Sequence, residues 1–302
     1  MRGGLWKADP VSEAPVLENS AEKAAPPSTH DHDAPRAAGK GDSIAMRTVP
    51  PLVMAMIFIG MYLWLRSSMD ENRQFLLPTG SEMWSDGIGN TEVLRELVER
   101  LFVTAKIALA GLAMSITLGV FVGLMMYSFR WFENATYPFL VALQSVPILA
   151  IAPLLQQGLG FGLAPKVIVC FIISFFPIPT TLLLGLKSVD RPMRDLFALA
   201  GVSWLTTLRK LSLPAAMPHL FTGFRIAAGL SVIGAIVGEL FFRTGSGGLG
   251  QMLINSKIEF EYPRMYSALL ASSALSIAVF LAFSWTGNRL FSSWHESAET
   301  EI

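Results

Sequence analysis

Long apolar stretches alternate along the chain with segments that carry nearly all of the charged residues. Six such stretches cover residues 48–65, 107–129, 134–165, 167–186, 221–242 and 265–288. A hydrocarbon core about 30 Å thick is crossed by about 20 helical residues. Backbone groups in lipid must satisfy their own hydrogen bonds, so each stretch is expected to be helical. The pattern therefore predicts an all-α, polytopic membrane bundle with six transmembrane helices.

The third stretch is interrupted by Pro147, Pro153 and a glycine-rich segment at 158–162. Gln144 and Ser145 precede the first of these prolines, so a helix irregularity here either exposes polar groups to a central path or packs them within the bundle. The fifth stretch contains Glu239 near its outer end. Ionisable residues in membrane spans are candidates for function, and we expect Glu239 at the interface, facing water. These three residues are the candidates for a translocation path.

Composition supports a membrane protein. Only 15% of the residues are charged, against about 25% in soluble domains. The formal net charge is zero, which gives no reason to expect a nucleic-acid partner. Cys170 is the single cysteine, so the chain forms no internal disulfide and no cysteine metal site. We expect no metal on this chain.

The segments outside the apolar stretches predict three regions. Residues 1–45 are rich in proline and poor in large apolar residues, which predicts a disordered tail. No apolar segment follows the initial Met1, so this tail is not a signal peptide. The transmembrane domain is expected at 46–292 and a second short tail at 293–302. A short amphipathic helix is expected at 91–100, lying along the outer membrane surface.

Basic residues orient the bundle. Five of them crowd the segment 187–220, namely Lys187, Arg191, Arg194, Arg209 and Lys210. Bases on the opposite side alternate with acids. The positive-inside rule then places this segment and both termini in the cytoplasm. Gly119 and Gly123, like Gly234 and Gly238, have the four-residue spacing that lets helices approach closely, and we expect them to pack within the bundle.

The segment 187–220 is long for a connection, and such loops are usually functional or disordered. Its apolar residues recur at helical spacing on both sides of Gly201. The pattern predicts a helix, a turn at Gly201, a short helix and a stop at Pro214 and Pro218, because proline cannot continue a helix interior.

This segment resembles the cytoplasmic EAA loop of binding-protein-dependent ABC importer permeases. The matching residues are Asp195, Leu196, Phe197, Gly201, Leu211, Leu213 and Pro214. Asp195 stands in place of Glu, and Leu196 and Phe197 in place of two alanines. In that family the loop forms a helix that seats on a separate ATP-binding subunit. The resemblance therefore implies that ATP-driven closure of that subunit moves this loop.

Further motifs extend the resemblance over about residues 50–290. The segments 143–147, 175–178 and 237–239, with the glycines of 247–250, resemble the nitrate, sulfonate and taurine branch. That branch includes transporters for thiamine-precursor pyrimidines and riboflavin. The resemblance implies a type I permease fold in a bacterial plasma membrane. It also implies a homodimer, or a pair with a different permease, served by an ATP-binding subunit and an extracytoplasmic solute-binding protein.

Other classes of function fit less well. An ion-coupled secondary transporter needs a coupling site at mid-membrane, usually with acids and an internal repeat. A membrane enzyme needs a catalytic constellation, and His219 and His295 have no neighbours in sequence for one. Gly245, Gly247 and Gly250 match a dinucleotide fingerprint but lack its βαβ context. The chain has no phosphate-binding loop motif, so we predict a non-catalytic subunit without cofactor, with ATP and Mg²⁺ on the partner.

Overall fold

The computed structural model describes residues 40–243 and 247–291, and all regular secondary structure within them is helical. The tail 293–302, most of the tail 1–45 and Gly245 lie outside the described residues. Helix α1, Lys40–Ser67, begins within the segment that the sequence predicted to lack structure. A helix already formed extends at little cost, because each further residue adds one hydrogen bond to an existing ladder.

The chain divides into two compact units, Met1–Trp64 and Leu65–Ile302. In the first unit, large apolar side chains of α1 such as Leu52, Phe58 and Trp64 are exposed. An apolar helix surface of this kind suits a lipid environment.

The second unit contains eleven further described α-helices. They are α2 Gly80–Glu82, α3 Thr91–Ser128, α4 Arg130–Ser145, α5 Ile148–Leu159, α6 Leu163–Phe175, α7 Pro177–Lys187, α8 Arg191–Leu199, α9 Trp204–Thr207, α10 Leu213–Phe241, α11 Leu249–Ile258 and α12 Tyr262–Phe291. A 3₁₀ helix covers Glu71–Leu76, and π-helical turns cover Met83–Ile88 and Leu208–Ser212.

Five helical segments among the described residues are long and apolar enough to cross a membrane. They are Thr48–Ser67, Thr91–Ser128, Leu163–Lys187, Trp204–Phe241 and Tyr262–Leu290. A sixth span results if α4 and α5, which meet at an angle of 104°, are taken together. The predicted all-α membrane bundle is confirmed, and the break of the third stretch falls at Val146 and Pro147.

The segment 91–100 does not form a separate surface helix, so that prediction was wrong. It is the first part of α3, which continues without a break to Ser128. Leu97 is buried and packs in the same apolar cluster as Ile107, Leu249 and Met252. The apolar positions of 91–100 have the helical spacing of the span and continue its buried face. No glycine or proline separates the two segments.

Helix α10 occupies the centre of the unit, in contact with α3, α6, α7, α11 and α12. Small residues allow this close packing. A Cβ at Gly234 would lie 2.7 Å from Cα of Cys170, and one at Gly238 would lie 3.0 Å from Cα of Lys166. Gly119 and Gly123 approach Ile178 and Leu182 of α7 as closely. The spaced glycines therefore serve packing between helices of one chain.

Candidate functional site

The turn between α8 and α9 lies where the sequence pattern places it. Gly201 has φ +65°, a left-handed conformation that costs other residues about 1–2 kcal/mol. The Val202 N–H donates to the Phe197 carbonyl at 3.3 Å and the Gly201 N–H to the Ala198 carbonyl at 3.0 Å. This pair of bonds is a Schellman motif, which satisfies the last carbonyls of α8. A glycine is therefore the residue suited to ending α8 in this way.

After the turn, α9 begins behind Ser203, whose hydroxyl accepts from the Thr206 N–H. The predicted stop at Pro214 and Pro218 was wrong: the chain passes through a π-helical turn, Leu208–Ser212, directly into α10. The Leu213 N–H bonds to the Leu208 carbonyl. At Pro214 the backbone hydrogen-bond pattern changes from i→i+5 to i→i+4. Proline has no N–H to donate, and at this change of pattern the missing donor is tolerated. The loop is thus shorter than 187–220.

Exposed apolar side chains surround the turn on both helices. We call the set Met193, Leu196, Leu199, Trp204 and Leu205 the corner patch, and its members are 47–87% exposed. Leu199 is the most exposed of them, at 87%. Exposed Asp195, Arg191 and Arg209 flank the patch. Exposed apolar and charged side chains thus alternate around the turn, and exposed apolar patches rimmed by polar residues are typical of interaction sites.

The two halves of the sequence motif have different surroundings. Asp195 and Leu196 are exposed, whereas Leu211, Leu213 and Pro214 are partly buried. Leu213 packs against the cluster that contains Leu112, Ile178 and Leu186. The neighbouring Ser212 hydroxyl lies 2.9 Å from the Tyr127 hydroxyl. The second half of the motif, Leu211 to Pro214, therefore packs against the bundle. The first half, with Asp195 and Leu196, is exposed at the corner.

Glu239 is completely buried, so the expectation that it faces water was wrong. Both of its carboxylate oxygens lie 3.0 Å from the Thr104 hydroxyl. The Gly250 N–H donates to Oε2 at 2.7 Å, and the Leu249 N–H donates to the Thr104 hydroxyl at 2.8 Å. These amides belong to the first turn of α11, where a carboxylate is favoured by the unpaired N–H groups and the helix dipole.

The glycines before α11 fit this carboxylate closely. A Cβ at Gly248 would lie 2.1 Å from Glu239 Oε1, and one at Gly250 would lie 2.6 Å from the Ile236 carbonyl. Gly248 and Gly250 thus form a packing surface for Glu239 and its helix.

Charged residues surround this carboxylate. Lys166, which is buried, and Arg100, which is partly buried, interact with it electrostatically. Arg100 also donates to the Gly247 carbonyl at 2.8 Å and pairs with Glu96, which is bonded in turn by Arg264. The cluster joins α3, α6, α10, α11 and α12 at one end of the bundle. The roles of Thr104 and Lys166 were missed from the sequence, although a lysine at the edge of an apolar stretch was a signal.

Gln144 and Ser145 lie in the last turn of α4, immediately before the 104° bend. Both side chains are exposed, and the Ser145 hydroxyl donates to the Val141 carbonyl at 3.0 Å. Neither is among the described partners of Glu239. The three candidate path residues therefore belong to two different places, a bend in the third span and a buried cluster.

Comparison with known proteins places these features in a family. Residues 115–292 match the family described as binding-protein-dependent transport system inner membrane component. The formylaminopyrimidine transport permease protein of Halalkalibacterium halodurans is 33% identical over 77% of this chain and 90% of that protein. The riboflavin transport system permease protein of Chloroflexus aurantiacus is 33% identical over 50% of this chain and 56% of that protein.

A solved structure has the same fold. The inward-facing MetNI methionine ABC transporter superposes with a TM-score of 0.57, at 19% identity, over 68% of this chain and 98% of the matched chain. At this identity the likeness concerns the fold, which is that of an ABC importer permease.

Proposed function

From the premise that this chain belongs to the binding-protein-dependent transport system inner membrane component family, we propose a specific role within an ABC importer. Two copies of the chain enclose the path of a small polar solute. An extracytoplasmic binding protein delivers the solute, and a separate subunit binds ATP and Mg²⁺ and hydrolyses ATP. The corner that carries Asp195 and Gly201 is the joint with that subunit, and both termini lie on its side of the membrane.

The corner patch is the observation that carries this proposal. Its apolar residues are exposed between charged ones, so lipid does not account for them. Two short helices, α8 and α9, meet at the left-handed Gly201 and carry these exposed side chains on both sides of one turn, which suits a joint with a partner. The buried half of the motif holds this surface against α3 and α7, so a force applied at the corner reaches the bundle.

The proposed solutes follow from the relatives. These are named for formylaminopyrimidine, riboflavin and aliphatic sulfonates. We propose a pyrimidine thiamine precursor or riboflavin first, with aliphatic sulfonates and nitrate as further candidates. Gln144 and Ser145, exposed at the bend of the third span, are the proposed path residues.

We expect Leu199→Glu to abolish recovery of the ATP-binding subunit with the affinity-tagged chain in mild detergent. A carboxylate would have to be desolvated in an apolar contact, a cost that exceeds the hydrophobic gain lost with the leucine. Trp84→Glu is the matched control, because Trp84 is 70% exposed but lies outside the corner. Unchanged recovery with Leu199→Glu would show that the subunit docks elsewhere.

Transport itself is tested in proteoliposomes that contain the chain, its ATP-binding subunit and its solute-binding protein. In vesicles where the ATP-binding subunit faces the lumen, we expect uptake of the labelled solute to require ATP inside the vesicle. Uptake driven by an ion gradient without ATP would support the alternative, an ion-coupled secondary transporter.

A further inference from the structure

An ion pair joins the end of α7 to the beginning of the third span. Lys187, in the last turn of α7, places its ammonium nitrogen 2.5 Å from Glu133 Oε1. Glu133 lies in the first turn of α4. The Arg194 guanidinium of α8 donates to the backbone carbonyl of Lys187, also at 2.5 Å. Lys187 therefore contacts α8 through its backbone and α4 through its side chain.

The connection between Lys187 and the corner is short. Only Ser188, Val189 and Asp190 separate α7 from α8, and Val189 is buried. Together with the Arg194 bond, this connection fixes the first turn of α8 relative to the end of α7. A displacement of the corner patch is therefore expected to move Lys187 by a similar distance.

An open cleft lies between Tyr137 of α4 and one face of α7. It has a volume of about 330 Å³, and its α7 lining is Thr180, Thr181, Leu183, Leu184 and Lys187. Further along α4, Leu140 packs tightly with Met126, Phe175 and Leu183. Protein interiors are normally close-packed, so this open cleft is the place where the first turns of α4 can shift relative to α7 while Leu140 keeps its packing. The Glu133–Lys187 pair lies at that end of α4.

The opposite end of α4 leads to the bend at Val146 and Pro147. A helix of 16 residues spans about 24 Å. Pro138 lies inside α4 and removes one internal hydrogen bond, but the helix continues from Arg130 to Ser145. A shift of its first turn is therefore expected to reach Gln144 and Ser145, the two polar side chains exposed before the bend.

We propose that the Glu133–Lys187 pair is a strut that transmits movement of the ATPase-coupling corner to the bent third span. Glu133 and Lys187 are positioning residues, and the inference rests on the function proposed above. The pair is partly exposed, with Glu133 at 22% and Lys187 at 47%. Exposed ion pairs contribute little to stability, so the strut acts by coupling two moving helices and not by holding the fold together.

Charge reversal tests the strut. Glu133→Lys and Lys187→Glu, each alone, are expected to lower the solute transported per ATP hydrolysed by about fivefold or more, the lower range of measured couplings between sites. The double exchange, Glu133→Lys with Lys187→Glu, restores the attraction and is expected to recover coupling to within about twofold. Each variant is reconstituted as the complete complex with the ATP-binding subunit and the binding protein.

A matched exchange controls for surface charge. Arg95 and Glu99 form another exposed pair, at 3.3 Å on α3, and exchanging them is expected to leave coupling unchanged. Thermal unfolding of every variant identifies any that fold poorly, and the charge-neutral Lys187→Met then replaces Lys187→Glu, with loss of coupling again expected.

The outcomes separate the two proposals. Failure of the unaltered chain to recover an ATP-binding subunit would overturn the proposed function. Recovery of that subunit by all variants, with full coupling in the singles or no restoration in the double exchange, would overturn the strut alone.

Discussion

Uptake by a Gly201→Asp variant is expected to fall below about a tenth of that of the unaltered chain, a loss within the range of strong coupling between sites. Gly201 lies at the corner with φ +65°, and a Cβ added there meets no atom of its own chain within 4 Å. Aspartate is among the residues that tolerate this conformation. The chain should therefore insert and fold, while the added carboxylate projects from the corner where we propose that the ATP-binding subunit docks.

Gly160 provides a control outside the corner. It also has a positive φ, +71°, with no atom within 4 Å of an added Cβ, but it lies between α5 and α6. Its ψ of −161° belongs to a region that almost only glycine adopts, so Gly160→Asp imposes a larger backbone cost away from the corner and is a demanding control. We expect it to retain more uptake than Gly201→Asp. Equal loss in both variants would indicate backbone strain, and normal uptake by Gly201→Asp would contradict a docking role. Membrane insertion is measured for each by detergent extraction and size-exclusion chromatography.

Truncation of Glu239 is expected to have the largest effect on stability. Removing one partner of a buried cluster of charged and hydrogen-bonded groups typically costs about 3–5 kcal/mol. In Glu239→Ala the Gly250 N–H and the Thr104 hydroxyl lose this acceptor, and Lys166 and Arg100 lose their electrostatic interaction with the carboxylate. We expect a clear fall in the midpoint of thermal unfolding in detergent.

Two further variants sharpen that result. Glu239→Gln keeps the shape but removes the charge, and should destabilise less than alanine. Glu99→Ala, which removes an exposed acid from α3, should leave the midpoint unchanged. If Glu239→Ala unfolds at the same temperature as the unaltered chain yet transports nothing, Glu239 acts on the solute path instead of supporting α11.

The third span and the start of α3 show how far sequence patterns extend. Pro147 predicted an interruption, because proline removes an internal hydrogen bond, and the chain bends there by 104°. The pattern did not show that the acids of 91–100 would lie on the solvent side of a helix continuous with the span. The length of the apolar stretch suggested that the helix ends near the membrane surface. The backbone hydrogen bonds of α3 instead continue beyond the apolar stretch, through residues 91–100.

Proline also gave a wrong prediction in the segment 195–214. Pro214 was expected to end a helix, but the π-helical turn before it shifts the hydrogen-bond register so that its missing N–H is not needed. The glycine turn, in contrast, followed from one local requirement, a residue that accepts positive φ. The resemblance of 195–214 to the EAA loop pointed to the family, which the match over 115–292 confirms.

The sequence by itself determined the membrane bundle, the family and the position of the glycine corner. These depend on properties that are local along the chain: apolar length, residue spacing and backbone preference at single positions. Only the tertiary structure decided which side chains meet. Glu239 and Thr104 are 135 residues apart in sequence, and Lys187 and Glu133 are 54 apart. Such contacts depend on how whole helices pack, so the burial of Glu239 and the link from the corner to the third span could be read only from the folded chain.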